Sequence, residues 1–375
     1  MTRLVALDLP GGDRFVREVE AAWSRGDAVF PLDQRLSNDS KAELVGALGA
    51  HLVVDPAGVT NVSTGRSLET GDALVIATSG STGRPKGVVH THDSLRASSS
   101  ASLSRLGATS DDHWLACLPL AHIGGFSVLC RALHASSRLT VLPNADPGAV
   151  MAASRSGCNR TALVPTLLHR IDVSAFETVL LGGSRPPAHR PTNVIATYGL
   201  SETGSGVVYD GARLDTVELR IDDVGEVLVR GPMLMRSYRD GTTSIDADGW
   251  LHTKDSGSID DAGILSIQGR LDDLIKTGGE KVWPERLERF LETRYTDRTV
   301  GVVGVPDDEW GEVVVLATDR VGLDLADVRA QVKAELPAHY APKFVVVCDL
   351  PRTSNGKIRR HDLRIEAERI IRSGD

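Results

Sequence analysis

Short runs of Val, Leu and Ile recur along the chain, each closed off by glycine, proline or polar residues: ALVIA at 73–77, LTVL at 139–142, TVLLGG at 178–183 and VGEVLVRG at 224–231. Such runs predict strands. Between several of them lie segments with apolar positions at helical spacing, as in DPGAVMAASR at 146–155, so the pattern predicts an α/β core. After Gly225 the pattern changes to short runs broken by Asp and Gly, as in DADGWLHTKDSGSIDDAGILSIQGR, which predicts a small, mostly antiparallel β region. Beyond Arg270 it changes again. WPERLERFLETRY (283–295) reads as an amphipathic helix entered through Pro284, TVGVVGVPD as a strand, and LADVRAQVKAELPAHY as another helix. This separate α+β pattern divides the chain into an expected N-terminal domain, 1–271, and a C-terminal domain, 272–375. The basic tail GKIRRHDLRIEAERIIR is expected to be a solvated helix, and no internal repeat is present.

At 375 residues and 41% hydrophobic, the chain can bury a large core. Lys plus Arg number 42 against 50 Asp plus Glu, a net charge of −8, and no dense basic run offers a surface for nucleic acid. An anionic substrate must therefore be held by local chemistry. Cys117, Cys130, Cys158 and Cys348 are scattered, with no metal-ligand spacing, and are expected to be reduced core residues. The N-terminus has no apolar run of signal-peptide length, and no stretch approaches about 18 apolar residues. A cytoplasmic protein without membrane insertion is expected.

The segment TSGSTGRPKG, Thr78 to Gly87, directly follows the strand ALVIA. Gly80, Gly83 and Gly87 allow tight backbone turns, Ser79, Ser81 and Thr82 add hydroxyl donors, and Lys86 adds a cation, so the loop suits phosphate oxygens. It is not a Walker A loop, because Pro85 precedes Lys86 and the strand-like GVVHTH follows where a helix would be required.

This loop resembles the signature of the adenylate-forming superfamily, which includes acyl-CoA synthetases, peptide-synthetase adenylation domains and luciferases. Further segments match that family's pattern in the same order: PLAHIGG (119–125) its acyl-pocket segment, LGGSRPP (181–187) its adenine loop, and YGLSETG (198–204) its Tyr-Gly-x-Thr-Glu motif. GWLHTKDSG (249–257) resembles the Thr-Gly-Asp motif, GRLDDLIKTGGEKVWPERLE (269–288) the hinge and following loop, and PRTSNGKIRR (351–360) the motif with the catalytic lysine. The resemblance implies a large N-terminal α/β domain with a mobile C-terminal α+β domain. It also implies an ATP- and magnesium-dependent ligase that forms an acyl-adenylate, then a thioester, with coenzyme A as the expected thiol.

The first step brings a carboxylate onto the α-phosphate of ATP, and cations must offset the repulsion between the two anions. By resemblance Glu202 is the magnesium ligand, Ser201 stands where the family has Thr, and Lys357 bridges the carboxylate and the phosphate. Lys86 and the loop residues Thr78, Ser79, Gly80, Ser81, Thr82 and Gly83 would hold phosphates; Gly182, Gly183, Ser184, Tyr198 and Gly199 would hold the adenine. Asp255 and Arg270 are implied ribose ligands, since a carboxylate accepts from hydroxyls and a guanidinium donates to them. For the thiol step the family turns its C-terminal domain about a residue matching Asp272, and Gly278 and Gly279 then help form the thiol channel. His122 matches a residue that gates the pocket or the channel.

Three departures stand out. Only 77 residues precede Thr78, so part of the usual N-terminal subdomain is expected to be missing; Lys254 replaces a family Gly; and Ser201 replaces Thr. The compact leader and PLAHIGGFSVLCRAL are most similar to the short o-succinylbenzoate–CoA ligases of menaquinone biosynthesis. An aromatic keto-diacid calls for an apolar slot and a cation for its second carboxylate, with Arg131, Arg170 and Arg185 as candidates. A domain that loads a carrier-protein thiol would use the same motifs, and the sequence leaves open whether the protein forms a homodimer.

Overall fold

The computed structural model describes residues 2–63, 65–79, 85–187, 189–352 and 358–373. The chain forms two compact units: Met1–Arg220, Leu228–Thr253 and Gly263–Leu265 make the first, and Ile221–Val227, Lys254–Ala262 and Ser266–Asp375 the second.

The first unit meets the α/β expectation with two seven-stranded sheets. One is ordered Ser237–Tyr238, Pro85–Thr91, Asp72–Ser79, Ala28–Pro31, Leu4–Leu7, Leu52–Val54, Val59–Asn61. Its inner strands Leu4–Leu7, Ala28–Pro31 and Leu52–Val54 run parallel. The other is ordered Ala212–Arg213, Gly206–Tyr209, Val194–Gly199, Thr178–Leu181, Arg160–Leu163, His113–Ala116, Arg138–Val141, and its last five strands are parallel. Strands buried along their whole length are predominantly apolar, and LVAL, AVFP and TVLL are buried at every position, with Thr178 accepting a hydrogen bond from Arg160.

Some of the helices start where a side chain satisfies one of their first N–H groups. Thr91 and Ser94 form a reciprocal capping box at the start of His92–Leu106, and Asp146 accepts from the backbone N–H of Ala149 at 2.9 Å to begin Pro147–Arg155. The core beneath the second sheet gathers Leu115, Val150, Leu163, Val179 and Val194. All four cysteines are free thiols, and Cys117, Cys130 and Cys158 are buried, as expected.

In the second unit, Val300–Asp307 and Gly311–Thr318 form a long antiparallel pair, joined by Ile275–Thr277, Glu280–Val282 and Phe344–Val347 in a five-stranded sheet. Helices Pro284–Glu292 and Leu325–Glu335 lie where the sequence predicts them. The charged tail departs from the expected solvated helix. Helix Arg360–Ser373 is not a fully solvated helix: Leu363 and Ala367 are completely buried against Val303, Val305 and Val315. Its charges mask an apolar stripe at helical spacing. Among the described residues, no helix is long and apolar enough to cross a membrane.

Candidate active site

Several motif segments leave the C-terminal ends of parallel strands in the second sheet of the first unit, the position at which open α/β sheets bind ligands. Cys117 follows His113–Ala116 on the way to His122, Gly182 follows Thr178–Leu181, and Gly199 ends Val194–Gly199. Gly182, Gly183 and Ser184 turn directly after their strand, with Ser184 exposed. Gly199 must be glycine, because a Cβ there would lie 2.1 Å from the carbonyl oxygen of Ser205. Beside it, the half-buried Tyr198 pairs with Val208 across the antiparallel edge.

The strands on either side of the glycine-serine loop form a hairpin in which Thr78 pairs with Lys86, and the Thr78 hydroxyl donates to the Lys86 carbonyl at 3.3 Å. Ser79 ends the first strand; Gly80, Ser81, Thr82 and Gly83 lie outside the described residues. The Lys86 ammonium sits 4.6 Å above the centre of the Tyr238 ring, and the Tyr238 hydroxyl donates to Glu202 Oε1 at 2.9 Å. Burial and the adjacent Glu202 charge push the phenol up to about 12, so the hydroxyl stays a donor. Sequence reasoning did not single out Tyr238; its one signal is an aromatic residue inside the polar stretch RSYRDGTTS.

Ser201 and Glu202 open the short turn Ser201–Thr203. The fully buried His90 lies on the strand after the loop, with its Nε2 2.7 Å from the Ser201 carbonyl. A carbonyl only accepts, so Nε2 carries the proton and Nδ1 accepts from the Ser94 hydroxyl at 3.2 Å. Burial, opposed in part by the bond to Ser201, pushes this imidazole down to about 4. The backbone N–H of Met235 donates to the Glu202 carbonyl at 2.8 Å, fixing the turn from a second direction.

His122 precedes the first turn of helix Ile123–Ala135. Its Nε2 lies 2.9 Å from an Arg35 guanidinium nitrogen and 3.4 Å from Asp33 Oδ2. Burial disfavours the Asp33 charge, but hydrogen bonds to His122 and Arg35 outweigh it and hold the carboxyl well below its ordinary range. Sequence reasoning missed Asp33 and Arg35, which lie almost ninety residues before His122.

In the second unit, Arg270 donates to Asp255 Oδ1 at 3.0 Å. Burial opposes the Arg270 charge, and the attraction of Asp255 outweighs it and raises the guanidinium. Lys254, at the position of the family Gly, adopts φ 59°, a left-handed conformation that explains why glycine suits the motif. Its N–H donates to Glu226 Oε1 at 2.6 Å, and its ammonium meets Asp272 at 3.3 Å. Gly278 and Gly279 have φ 57° and 84°, and a Cβ on Gly278 would lie 2.6 Å from the Trp310 ring. Lys357 lies outside the described residues, three positions before Arg360.

Two family models match the chain, AMP-binding enzyme over residues 68–239 and AMP-binding enzyme C-terminal domain over residues 298–357. The 2-succinylbenzoate–CoA ligase of Listeria monocytogenes is 31% identical, over 92% of this chain and 85% of that protein. The chain belongs to the AMP-binding enzyme family. This adenylate-forming ligase is also 31% identical to the 2-succinylbenzoate–CoA ligase of Bacillus cereus, over 94% of its own length and 81% of that relative. Its fold matches the o-succinylbenzoate coenzyme A synthetase of Bacillus subtilis, solved with ATP and a magnesium ion, at a TM-score of 0.84 and 25% identity. That match covers 96% of this AMP-binding enzyme and 89% of the solved chain.

Proposed function

We propose that this ligase is an o-succinylbenzoate–CoA ligase of menaquinone biosynthesis, using ATP, magnesium and coenzyme A in the cytoplasm. The observation that carries this reading is the similarity to ligases of that name across more than nine-tenths of the chain.

In the first half-reaction an oxygen of the substrate carboxylate bonds to the α-phosphorus of ATP, and the bond to pyrophosphate breaks. Among the described residues no three His, Cys, Asp or Glu converge on a metal position. The oxygens of Glu202 nevertheless suit magnesium, which usually takes one or two carboxylates and completes its shell with phosphate and water. When bound, the ion would neutralise phosphate charge. Lys86 would hold phosphate oxygens, Asp255 and Arg270 the ribose hydroxyls, and Tyr198 the adenine. Lys357 would bring substrate carboxylate and α-phosphate together.

In the second half-reaction the thiol of coenzyme A gives up its proton and its sulfur bonds to the acyl carbon, while AMP leaves with the electron pair of the broken anhydride bond. We place the mobile C-terminal domain at 272–375, with Asp272 as the hinge, Gly278 and Gly279 beside the thiol, and His122 as the gate.

Arg131 is the best supported of the three candidate cations for the second carboxylate. It is only 3% exposed, bonds to the hydroxyls of Ser102 (2.7 Å) and Ser127 (3.2 Å), and has no carboxylate partner among the described residues. A buried charge without a counter-ion is costly, and an anionic substrate group would offset it. Arg170 and Arg185 are exposed.

The test is to incubate the protein with ATP, magnesium, coenzyme A and o-succinylbenzoate beside other aryl and aliphatic acids, following pyrophosphate, AMP and the acyl product by mass. The reading expects a succinylbenzoyl thioester formed in preference to all others. AMP without acyl-CoA would point to a carrier-protein thiol, and no pyrophosphate with any acid would overturn the reading. Light scattering decides whether the enzyme is a homodimer.

A further inference from the structure

Tyr238 touches two oppositely charged groups that come from two different motifs. Strand Ser237–Tyr238 pairs with Pro85–Thr91, with Tyr238 opposite Val88, so backbone register brings the ring alongside Lys86. The ring receives the Lys86 ammonium at 4.6 Å on its face, while its hydroxyl donates to Glu202 Oε1 at 2.9 Å and lies 3.2 Å from the Ser244 hydroxyl. The turn after Tyr238 is closed by its own N–H, which donates to the Thr242 carbonyl at 2.8 Å, so its backbone is fixed on both sides.

A lysine and a glutamate that can reach the same side chain attract each other, and a direct ion pair would occupy both before any nucleotide arrived. A tyrosine between them satisfies each without neutralising either. The ring face attracts the ammonium through its quadrupole and leaves the ammonium its hydrogen-bond donors. The hydroxyl bonds one carboxylate oxygen and leaves the other to accept elsewhere. Partners of this kind orient a metal-binding carboxylate.

We propose that Tyr238 is a positioning residue that holds Lys86 and Glu202 apart and pre-aligned for the magnesium–ATP complex, an inference that rests on the ligase reading above. The hydroxyl acts on Glu202 and hence on the metal; the ring acts on Lys86 and hence on the phosphates. The two roles are separable by substitution.

The experiment compares wild type, Tyr238→Phe and Tyr238→Leu in calorimetric titrations with ATP at a series of magnesium concentrations, alongside acid-dependent pyrophosphate release. Thermal melts first establish that each variant is folded. Tyr238→Phe keeps the ring, and it is expected to raise the magnesium concentration for half-maximal ATP binding about tenfold while leaving metal-free ATP binding unchanged. Tyr238→Leu is expected to weaken ATP binding further, even at saturating magnesium. A merely structural tyrosine would lower the melting temperature without moving the magnesium requirement, so a folded Tyr238→Phe protein with the wild-type requirement overturns the proposal. If wild type binds magnesium–ATP but releases no pyrophosphate with any acid, the ligase reading fails while the magnesium titrations still decide the role of Tyr238. If wild type binds no magnesium–ATP, both fall.

Discussion

His90 Nε2 donates to the carbonyl oxygen of Ser201 at 2.7 Å, tying the strand after the glycine-serine loop to the turn that carries Glu202. The bond requires a proton on Nε2, which the neutral ring can supply, and burial keeps the ring neutral by pushing the pKa down from 6.5 to about 4 against the opposing pull of the bond itself. Because the folded value lies below the unfolded one, the unfolded chain binds the extra proton. Stability is therefore complete above pH 6.5 and falls as pH drops towards 4, by about 3 kcal/mol over the full window. Urea unfolding across that range checks this. His90→Gln can still donate to Ser201 but does not titrate, so it should flatten that part of the pH dependence; an unchanged slope would assign it to other groups.

Asp255 and Arg270 should act on nucleotide binding as a pair. Asp255 is buried and faces the Arg270 guanidinium at 3.0 Å, so Asp255→Ala removes both a hydroxyl acceptor and a carboxylate that orients the arginine. A charge-assisted hydrogen bond is worth roughly 1.5–3 kcal/mol, which is ten- to a hundredfold in affinity. The KM for ATP should rise by that factor in pyrophosphate exchange, with the KM for the acid little changed. Equal rises in both would indicate general distortion.

At Lys254 strain and propensity nearly cancel. A left-handed residue other than glycine costs about 1–2 kcal/mol, whereas glycine costs about 0.5–1 kcal/mol in chain entropy. The ion pair with Asp272 is more than half exposed on both sides and adds little. Lys254→Gly should therefore leave stability within about 1 kcal/mol of wild type, while the β-branched Lys254→Val should lose at least about 1 kcal/mol in chemical denaturation. The reverse order would show that the ion pair dominates.

Arg360 anchors the start of the last helix through Glu288 at 2.6 Å and Asp273 at 3.1 Å. Arg360 and Glu288 are both largely buried, so Glu288→Ala leaves a cation poorly compensated and should destabilise the second unit by about 3 kcal/mol, read by hydrogen exchange in its sheet. Lys357 precedes this anchor by three residues, so acyl-adenylate formation should slow as well. Normal adenylation in a destabilised variant would separate the anchor from the chemistry.

Element types were legible because local apolar runs and cap residues decide them: TVLLGG became a strand and its following turn, and WPERLERFLE became the helix Pro284–Glu292. Motif order was equally legible, since the glycines and hydroxyls of TSGSTGRPKG stand next to one another in the chain. Tyr238, His90, Asp33 and Arg35 were not. Each meets its partner through strand pairing or packing that joins residues far apart in sequence, and an isolated Tyr, His or Asp–Arg pair carries no local mark of its neighbour.

By itself, then, the sequence determined the adenylate-forming family, the order of its motifs and the residue types available for the chemistry, because those are properties of contiguous segments. Only the tertiary structure decided which side chains orient Glu202, Lys86 and His122, why a left-handed backbone stands at Lys254, and that the charged tail buries Leu363 and Ala367. Long-range contacts set those facts, and burial then sets the protonation states, as at His90.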